Sequence, residues 1–146
     1  MAVVDESLAL SRVRRLIRLL VAFGMLGTSV ELLLLAHTED TNQLMPFMAM
    51  VLSLLALTWR TVSGSPASVR AVQFAMALML IAGAVGVVLH YRANMEFQLD
   101  IDPSLGGFTL FKTVLEAKAP PALAPGNMAL LGLFGLVSVY KDPVAK

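Results

Sequence analysis

AVQFAMALMLIAGAVGVVLHY, residues 71 to 91, is the stretch that decides the fold of this chain. It contains no aspartate, glutamate, lysine or arginine. The hydrocarbon core of a bilayer is about 30 Å thick and needs roughly 20 helical residues to cross it. We therefore predict that residues 71–91 form a membrane-spanning helix.

Three further apolar segments stand out, at about residues 16–36, 45–61 and 121–140. The 146-residue chain is 58% hydrophobic and 14% charged, whereas an ordinary soluble domain is about half apolar and about a quarter charged. The excess of apolar surface indicates lipid as the solvent. The sequence therefore predicts an all-α fold, an integral membrane four-helix bundle, with residues 1–146 forming a single membrane domain.

The arginines and lysines divide unequally between the two sides of this predicted bundle. Eight of the eleven fall on the side of the two termini, and three fall on the other side. The eight are Arg12, Arg14, Arg15, Arg18, Arg60, Arg70, Lys141 and Lys146, and the three are Arg92, Lys112 and Lys118. Because positively charged connections stay in the cytoplasm, we predict a multi-pass protein of the bacterial inner (cytoplasmic) membrane with both the N- and the C-terminus cytoplasmic.

The last external connection contains the segment FTLFKTVLEAK, residues 108–118. Phe108, Phe111 and Leu115 fall on one face at helical spacing, between a glycine pair and a proline pair. This spacing predicts a short amphipathic interfacial helix that lies parallel to the outer membrane surface, with those three side chains turned from water. A loop helix folded over the bundle itself is the alternative that the pattern leaves open.

The composition excludes several classes of function. A net charge of +1 does not supply the clustered basic surface that nucleic-acid binding requires. The absence of cysteine removes disulfides, thiolate metal ligands and a cysteine nucleophile. No GxSxG, HExxH or phosphate-binding loop is present. We therefore predict no nucleic-acid partner, no catalytic residues and no enzymatic activity.

Polar side chains within the predicted spans indicate a candidate site near the outer surface. Glu31 is an acid inside a span, where an ionised side chain is expected to face protein or water. In residues 24–31 and again in residues 83–90, a glycine pair is followed four residues later by a polar side chain, so meeting glycine faces would bring Glu31 and His90 level. The predicted cluster consists of Glu31, His90, Asn94 and Asn127. Packing, a proton or ion pathway and a bound cofactor are all open roles for it.

Two metal alternatives stay open at the same surface. Two histidines are a known ligand set for haem iron, and thioether and imidazole groups suit Cu(I). The residues concerned are His37, Met45, Met48 and His90. Methionine also fills gaps between helices, so the primary prediction is that no cofactor is bound.

Three short motifs carry a family resemblance: HYRANMEF (residues 90–97), PALAPG (121–126) and LLGLFGL (130–136). They resemble segments of small four-span bacterial membrane proteins to which no activity is assigned. The resemblance implies a four-helix membrane fold and supplies no function. The four-span architecture is also similar to that of DoxX-like proteins, although none of their motifs is matched here.

The lack of a catalytic motif, the short internal connections and the one substantial external element favour a role inside an assembly. We predict an accessory or structural transmembrane subunit of a larger bacterial membrane complex, of respiratory or photosynthetic type. Its partners would be the lipid bilayer and other membrane protein subunits. A small transporter or proton-linked carrier that uses Glu31 and His90 is the first alternative, and a haem- or copper-binding membrane protein is the second.

Overall fold

The computed structural model describes residues 2–117 and 123–145, and most of them are helical. The α-helices in this part of the chain are α1 (Ala2–Leu34), α2 (Thr41–Ser63), α3 (Pro66–Ile101), α4 (Gly107–Leu115) and α5 (Leu123–Ser138). A 3₁₀ turn, Pro143–Ala145, follows α5. The prediction of an all-α fold is confirmed, since the described residues contain no strand.

Three helices of the described chain are long enough and apolar enough to cross a membrane: residues 7–34 of α1, all of α2 and all of α3. The predicted spans 16–36, 45–61 and 71–91 fall on these three helices. The predicted span 121–140 falls on α5, which is apolar but has only 16 residues, about 24 Å of helix. The first two residues of that span lie outside the described ones.

The tight connection between α2 and α3 consists of two residues, Gly64 and Ser65. Gly64 ends α2 with a left-handed backbone (φ 57°), a conformation that glycine adopts without a Cβ clash. Ser65 then caps α3 by accepting a hydrogen bond from the backbone N–H of Ser68 at 3.2 Å, and Pro66 takes the first helical position. A connection this short makes α2 and α3 antiparallel neighbours.

α3 continues past the predicted span boundary at residue 91 and ends at Ile101. Its 36 residues form a helix about 54 Å long, well over the ~30 Å of a hydrocarbon core. Nothing local stops the helix after Tyr91, because the segment is rich in good helix formers and meets no glycine or proline before Pro103. The predicted span boundary at residue 91 rests on hydropathy, which reports the surrounding solvent and not the conformation of the backbone.

The four longest helices of the described chain contact one another in the order α1, α2, α3, α5 and back to α1, while α4 packs mainly on α3. The most extensive of these contacts joins α3 and α5, and the sparsest joins α1 and α2. The shared core includes four fully buried methionines, whose flexible side chains fill irregular gaps between helices. They are Met25, Met50, Met76 and Met79.

Glycines bring the backbones of α3 and α5 together. A Cβ added at Gly83 would lie 2.6 Å from backbone atoms of Pro125 and Ala129. A Cβ added at Gly132 would lie 2.8 Å from the carbonyl oxygen of Met76. The close approach of the two helices therefore depends on the absence of side chains at these positions.

The expected meeting of the glycine faces of α1 and α3 does not occur, because α5 lies between them. On α1, Gly24 faces the side chain of Leu131 of α5, and the space beside Gly27 is open. On α3, Gly83 and Gly86 both face Pro125 of α5. The glycines of α5 give α3 a closer partner than α1 provides.

The two ends of the molecule differ in chemistry, and we name them accordingly. The arginine end holds Arg14, Arg18, Arg60 and Asp142, which come together from α1, α2 and the segment after α5. The histidine end holds the ring contact between His37 and His90. Because Arg14 donates to the backbone carbonyl of Tyr140, the first helix and the last segment meet at the arginine end.

Candidate functional site

Glu31, the acid of the predicted cluster, lies on the face of α1 that points away from the other helices. Its side chain is exposed, as is that of Leu34 one turn later. Among the described residues its carboxylate takes part in no hydrogen bond or ion pair, so the predicted cluster is not joined by a hydrogen bond from Glu31 to His90, Asn94 or Asn127. The physical reason is α5, which separates the glycine face of α1 from that of α3.

Asn127 does reach α1, but its partner there is Thr28. The side-chain amide of Asn127 donates a 2.6 Å hydrogen bond to the Thr28 hydroxyl oxygen. Thr28 is 2% exposed, so its end of this bond is buried between α1 and α5. Thr28 follows Gly24 by four residues and shares its helix face, which is the face that packs on α5. The four-residue spacing from Gly24 to Thr28 indicates this face of α1. The predicted cluster instead grouped the Asn127 amide with Glu31.

Thr28→Val is expected to lower the free energy of unfolding by about 1 kcal/mol, because it leaves the Asn127 amide without its acceptor. Asn127→Leu should cost a similar amount by stranding the Thr28 hydroxyl. The double variant removes both polar groups, and the expected coupling energy is about 0.6–1.7 kcal/mol, the range for hydrogen bonds between membrane helices. Thermal unfolding of the four proteins in mild detergent measures this coupling, and additive effects would contradict the bond.

His90 contacts a residue that the predicted polar cluster did not include. Its ring stacks on that of His37 from the α1–α2 connection, with ring centroids 6.0 Å apart and an interplanar angle of 25°. Asn94, one turn further along α3, also makes an interaction within the folded chain. The four residues of the predicted cluster are thus divided between the bundle interior, the histidine end and the outer surface of α1.

The contact between His37 and His90 brings together two of the four possible metal ligands. The other two, Met45 and Met48, lie on α2 with side chains that are 60% and 64% exposed. Within the described residues, no group of three or more His, Cys, Asp or Glu side chains is placed to hold a metal ion. The imidazole pair offers two ligands, and the haem and Cu(I) alternatives stay predictions.

α4 packs on α3, and its ring contact with α3 lies at Tyr91, the last residue of the predicted span. Its fully buried residue is Val114, and the ring of Phe111 contacts that of Tyr91 with centroids 6.1 Å apart. The predicted helix extends to residue 118, which lies outside the described residues, whereas the observed helix ends at Leu115. On the face predicted to turn from water, the side chains of Phe108, Phe111 and Leu115 are 78%, 45% and 40% exposed. Of these three, Phe111 has a ring contact with α3.

The closest ion pair of the described chain lies at the arginine end, and the sequence did not reveal it. Nη2 of Arg60, in the last turn of α2, donates to the two carboxylate oxygens of Asp142 at 2.7 and 2.8 Å, and Nε donates at 3.2 Å. Asp142 also accepts the backbone N–H of Val144 at 3.1 Å. Burial alone would raise the pKa of the Asp142 carboxyl, but these hydrogen bonds and the charges of Arg60 and Arg18 hold its pKa below the ordinary value.

Two arginines of α1 bind backbone carbonyls at the end of α5 and in the turn that follows it. Arg14 donates to the carbonyl oxygens of Tyr140 and Lys141, both at 3.0 Å. Arg18 donates to the carbonyl oxygen of Ser138 at 3.3 Å. The last carbonyls of a helix lack intrahelical donors and carry partial negative charge, so cations stabilise them. Arginines that were interpreted as markers of orientation therefore also join the first helix to the last.

No protein-family model, curated protein or solved structure matches the chain. The similarity of HYRANMEF, PALAPG and LLGLFGL to four-span bacterial membrane proteins therefore stays a resemblance. Function is inferred from the geometry of the chain itself.

Proposed function

We propose that the chain is an accessory or structural subunit of a larger complex in the bacterial inner membrane, built as a four-helix multi-pass bundle with both termini in the cytoplasm. One observation carries the proposal. The carboxylate of Glu31 faces outward from a helix that is apolar enough to cross a membrane. An outward-facing charge within a span needs a partner, and the described residues of the chain provide none.

The depth of Glu31 follows from the length of α1. With Arg18 at the inner headgroups, the 13 residues from Arg18 to Glu31 extend about 20 Å along α1, whereas the core is about 30 Å thick. Glu31 then lies about 10 Å below the outer boundary. An ionised side chain at the centre of a span costs about 3 kcal/mol on insertion scales, and a fraction of that cost applies at this depth. A neighbouring helix that offers Lys, Arg, His or an amide N–H would remove it.

The surface around Glu31 is otherwise apolar. Its exposed neighbours on α1 are Leu26, Val30, Leu33 and Leu34. Only 22% to 28% of the most apolar window of each long helix is buried within the chain, which leaves most of the helical surface for lipid and other subunits. A single carboxylate in such a surface supports an interface in which one polar contact orients two packed chains.

A proton-linked carrier would need Glu31 to line a water-accessible path through the bundle, and the geometry supports this less well. The inward face of α1 at this level is occupied by the hydrogen bond between Thr28 and Asn127. An apolar groove between α2 and α3 and a polar groove at the arginine end both lie away from Glu31 and His90. The outward position of Glu31 therefore favours the subunit over the carrier.

A second candidate, a haem or Cu(I) protein, is favoured by the contact between His37 and His90 alone. The absorbance spectrum and metal content of the protein purified from its native membrane test it directly. A Soret band, or copper at one equivalent, that His90→Ala abolishes would support this candidate. The candidate would be rejected if the wild type shows no Soret band and no bound copper. It would also be rejected if His90→Ala keeps whichever signal the wild type shows.

The subunit proposal is tested by purifying a tagged chain in mild detergent and identifying the chains that co-purify in fixed stoichiometry. Glu31→Gln and Glu31→Leu are expected to lower recovery of the partner about tenfold or more, the effect of losing about 1.4 kcal/mol of interface energy. The thermal stability of the isolated chain should not change, because Glu31 makes no hydrogen bond or ion pair within the described chain.

Glu39→Gln is the matched control, because it removes an exposed carboxylate from the connection just after α1. It is expected to leave both partner recovery and stability unchanged. A chain that purifies without any stoichiometric partner would contradict the proposal, as would a loss of stability in the isolated Glu31→Leu variant.

A further inference from the structure

A polar groove opens between α1 and α2 at the arginine end, far from Glu31. Its volume is about 590 Å³, within the range of small-molecule sites. Its mouth, at the arginine end, is lined by Arg15, Arg18, Arg60 and Thr61. Its deeper wall, which lies further along the two helices, is lined by Leu19, Ala22, Leu54 and Leu57.

We propose that this groove binds a phosphate-class oxyanion, presented by the headgroup of an anionic phospholipid. The proposal rests on the membrane placement of the bundle. It is independent of Glu31 and of any partner subunit, so it stands or falls separately from the proposed role in a complex.

The arginines of the groove have donors that the described chain does not use. The Nε of Arg18 is buried without a hydrogen-bond partner, although Nη1 of the same side chain donates to Ser138. The hydrogen bonds of Arg60 occupy Nε and Nη2 and leave Nη1 available. Arg15 makes no hydrogen bond within the described chain. Arg15 and Nη1 of Arg60 are therefore the donors available to an acceptor in the groove, and Nε of Arg18 is a buried donor of the kind that is normally paired.

The charge of the groove selects an anion. Four guanidinium groups gather at this end, those of Arg14, Arg15, Arg18 and Arg60. Among the described residues, one carboxylate, that of Asp142, pairs with them, and its ion pair is with Arg60. The hydroxyls of Thr58 and Thr61 already donate to backbone carbonyls of their own helix. The free donors in the groove are therefore guanidinium N–H groups, whose planar arrangement matches two oxygens of a phosphate.

The shape of the groove favours a lipid as the source of the phosphate. Its deeper wall is apolar and runs along α1 and α2 toward the middle of the helices. The sparse packing of α1 on α2 leaves the groove open to the side. A headgroup phosphate at the arginines would lay an acyl chain along this wall, as in other basic pockets between membrane helices.

The test is a native mass spectrometry titration of the detergent-purified full chain with phosphatidylglycerol, with phosphatidylcholine of the same acyl chains, and with inorganic phosphate. Arg15→Gln is expected to weaken binding of phosphatidylglycerol about tenfold, as expected for one charge-assisted hydrogen bond. Arg12→Gln is the matched control: it removes the same charge from an exposed residue of α1 that does not line the groove. Its affinity should stay within about twofold of the wild type.

Ala22→Leu distinguishes the two sources of phosphate, because it fills the apolar region of the groove and leaves the arginines in place. Loss of phosphatidylglycerol binding in Ala22→Leu supports the lipid. Binding of inorganic phosphate that equals that of the lipid and survives Ala22→Leu would overturn the lipid source and assign the same arginines to a free anion. Equal affinity for the two phospholipids, or equal effects of Arg15→Gln and Arg12→Gln, would overturn the site itself.

Discussion

Asp142→Ala is expected to lower the free energy of unfolding by about 3 kcal/mol, because it leaves the Arg60 guanidinium largely buried without its counter-charge. In the wild type the two side chains are only 12% and 2% exposed, and one nitrogen of Arg60 reaches both carboxylate oxygens. Arg60 borders the groove between α1 and α2, where water reaches it, so the expected loss is at the lower end for broken buried pairs. Thermal unfolding of the detergent-solubilised chain, followed by helical circular dichroism, measures the loss.

Glu116→Ala is the matched control, since it also removes a carboxylate from an ion pair. Nζ of Lys112 and Oε1 of Glu116 are 3.8 Å apart, and the two side chains are 62% and 67% exposed. Exposed ion pairs four residues apart on a helix contribute only about 0.3–0.5 kcal/mol. The double variant Arg60→Met with Asp142→Leu removes both buried charges and should recover much of the loss. Equal effects of Asp142→Ala and Glu116→Ala would show that the buried pair stabilises nothing.

The same pair makes stability depend on pH in a defined direction. The pKa of Asp142 is lower in the folded chain than its ordinary value. Its contribution to stability is therefore fully present above the unfolded carboxyl pKa of about 3.9, and it is lost as the pH falls through the lower pKa of the folded chain. Acid is thus expected to destabilise the wild type more than Asp142→Asn, in a comparison of melting temperatures between neutral pH and about pH 3.

Gly83→Ala is expected to cost about 1–3 kcal/mol, the usual penalty for an extra group in a packed interface. The new methyl group would lie 2.6 Å from backbone atoms of Pro125 and Ala129, and backbone cannot turn aside as a side chain can. The α3–α5 contact is the most extensive between helices of the described chain, so separating these two helices disturbs the largest packing interface of the fold. The melting temperature and the monodisperse fraction on size-exclusion chromatography report the effect.

Gly27→Ala is the control for the glycine exchange, because no atom lies within 4 Å of its added Cβ. Alanine has the higher helix propensity, by about 1 kcal/mol, so this variant should be unchanged or slightly more stable than the wild type. If both variants behave alike, close backbone approach is not what holds α3 against α5.

The positions of the helices follow from the sequence because their signals are local. Gly64, Ser65 and Pro66 mark a helix end, a cap and a helix start whatever packs around them. The predicted end of α3 is wrong because it rests on hydropathy and not on a local signal. Hydropathy ends the span at residue 91, whereas the helix continues to Ile101. Hydropathy locates a solvent boundary, and only backbone chemistry locates a helix end.

The contacts between helices could not be predicted, because they depend on which faces meet. Arg60 and Asp142 are 82 residues apart, and no spacing rule connects an arginine in a helix with an aspartate in a terminal segment. Glycine spacing identified surfaces suited to close packing on both α1 and α3, but α5 carries such a surface as well. Asn127 packs against α1 as expected. The rotation of α1 about its own axis decides that its partner there is Thr28 and not Glu31.

The bond from Arg14 to Tyr140 also bears on the order of events during synthesis. The two residues are 126 positions apart, so the arginines of α1 leave the ribosome long before their carbonyl acceptors exist. In the proposed orientation, their charge is unpaired during that interval and holds the amino terminus on the cytoplasmic side. Once residues 138–141 have been synthesised, the same guanidinium groups bind their carbonyl oxygens and join α1 to the segment after α5.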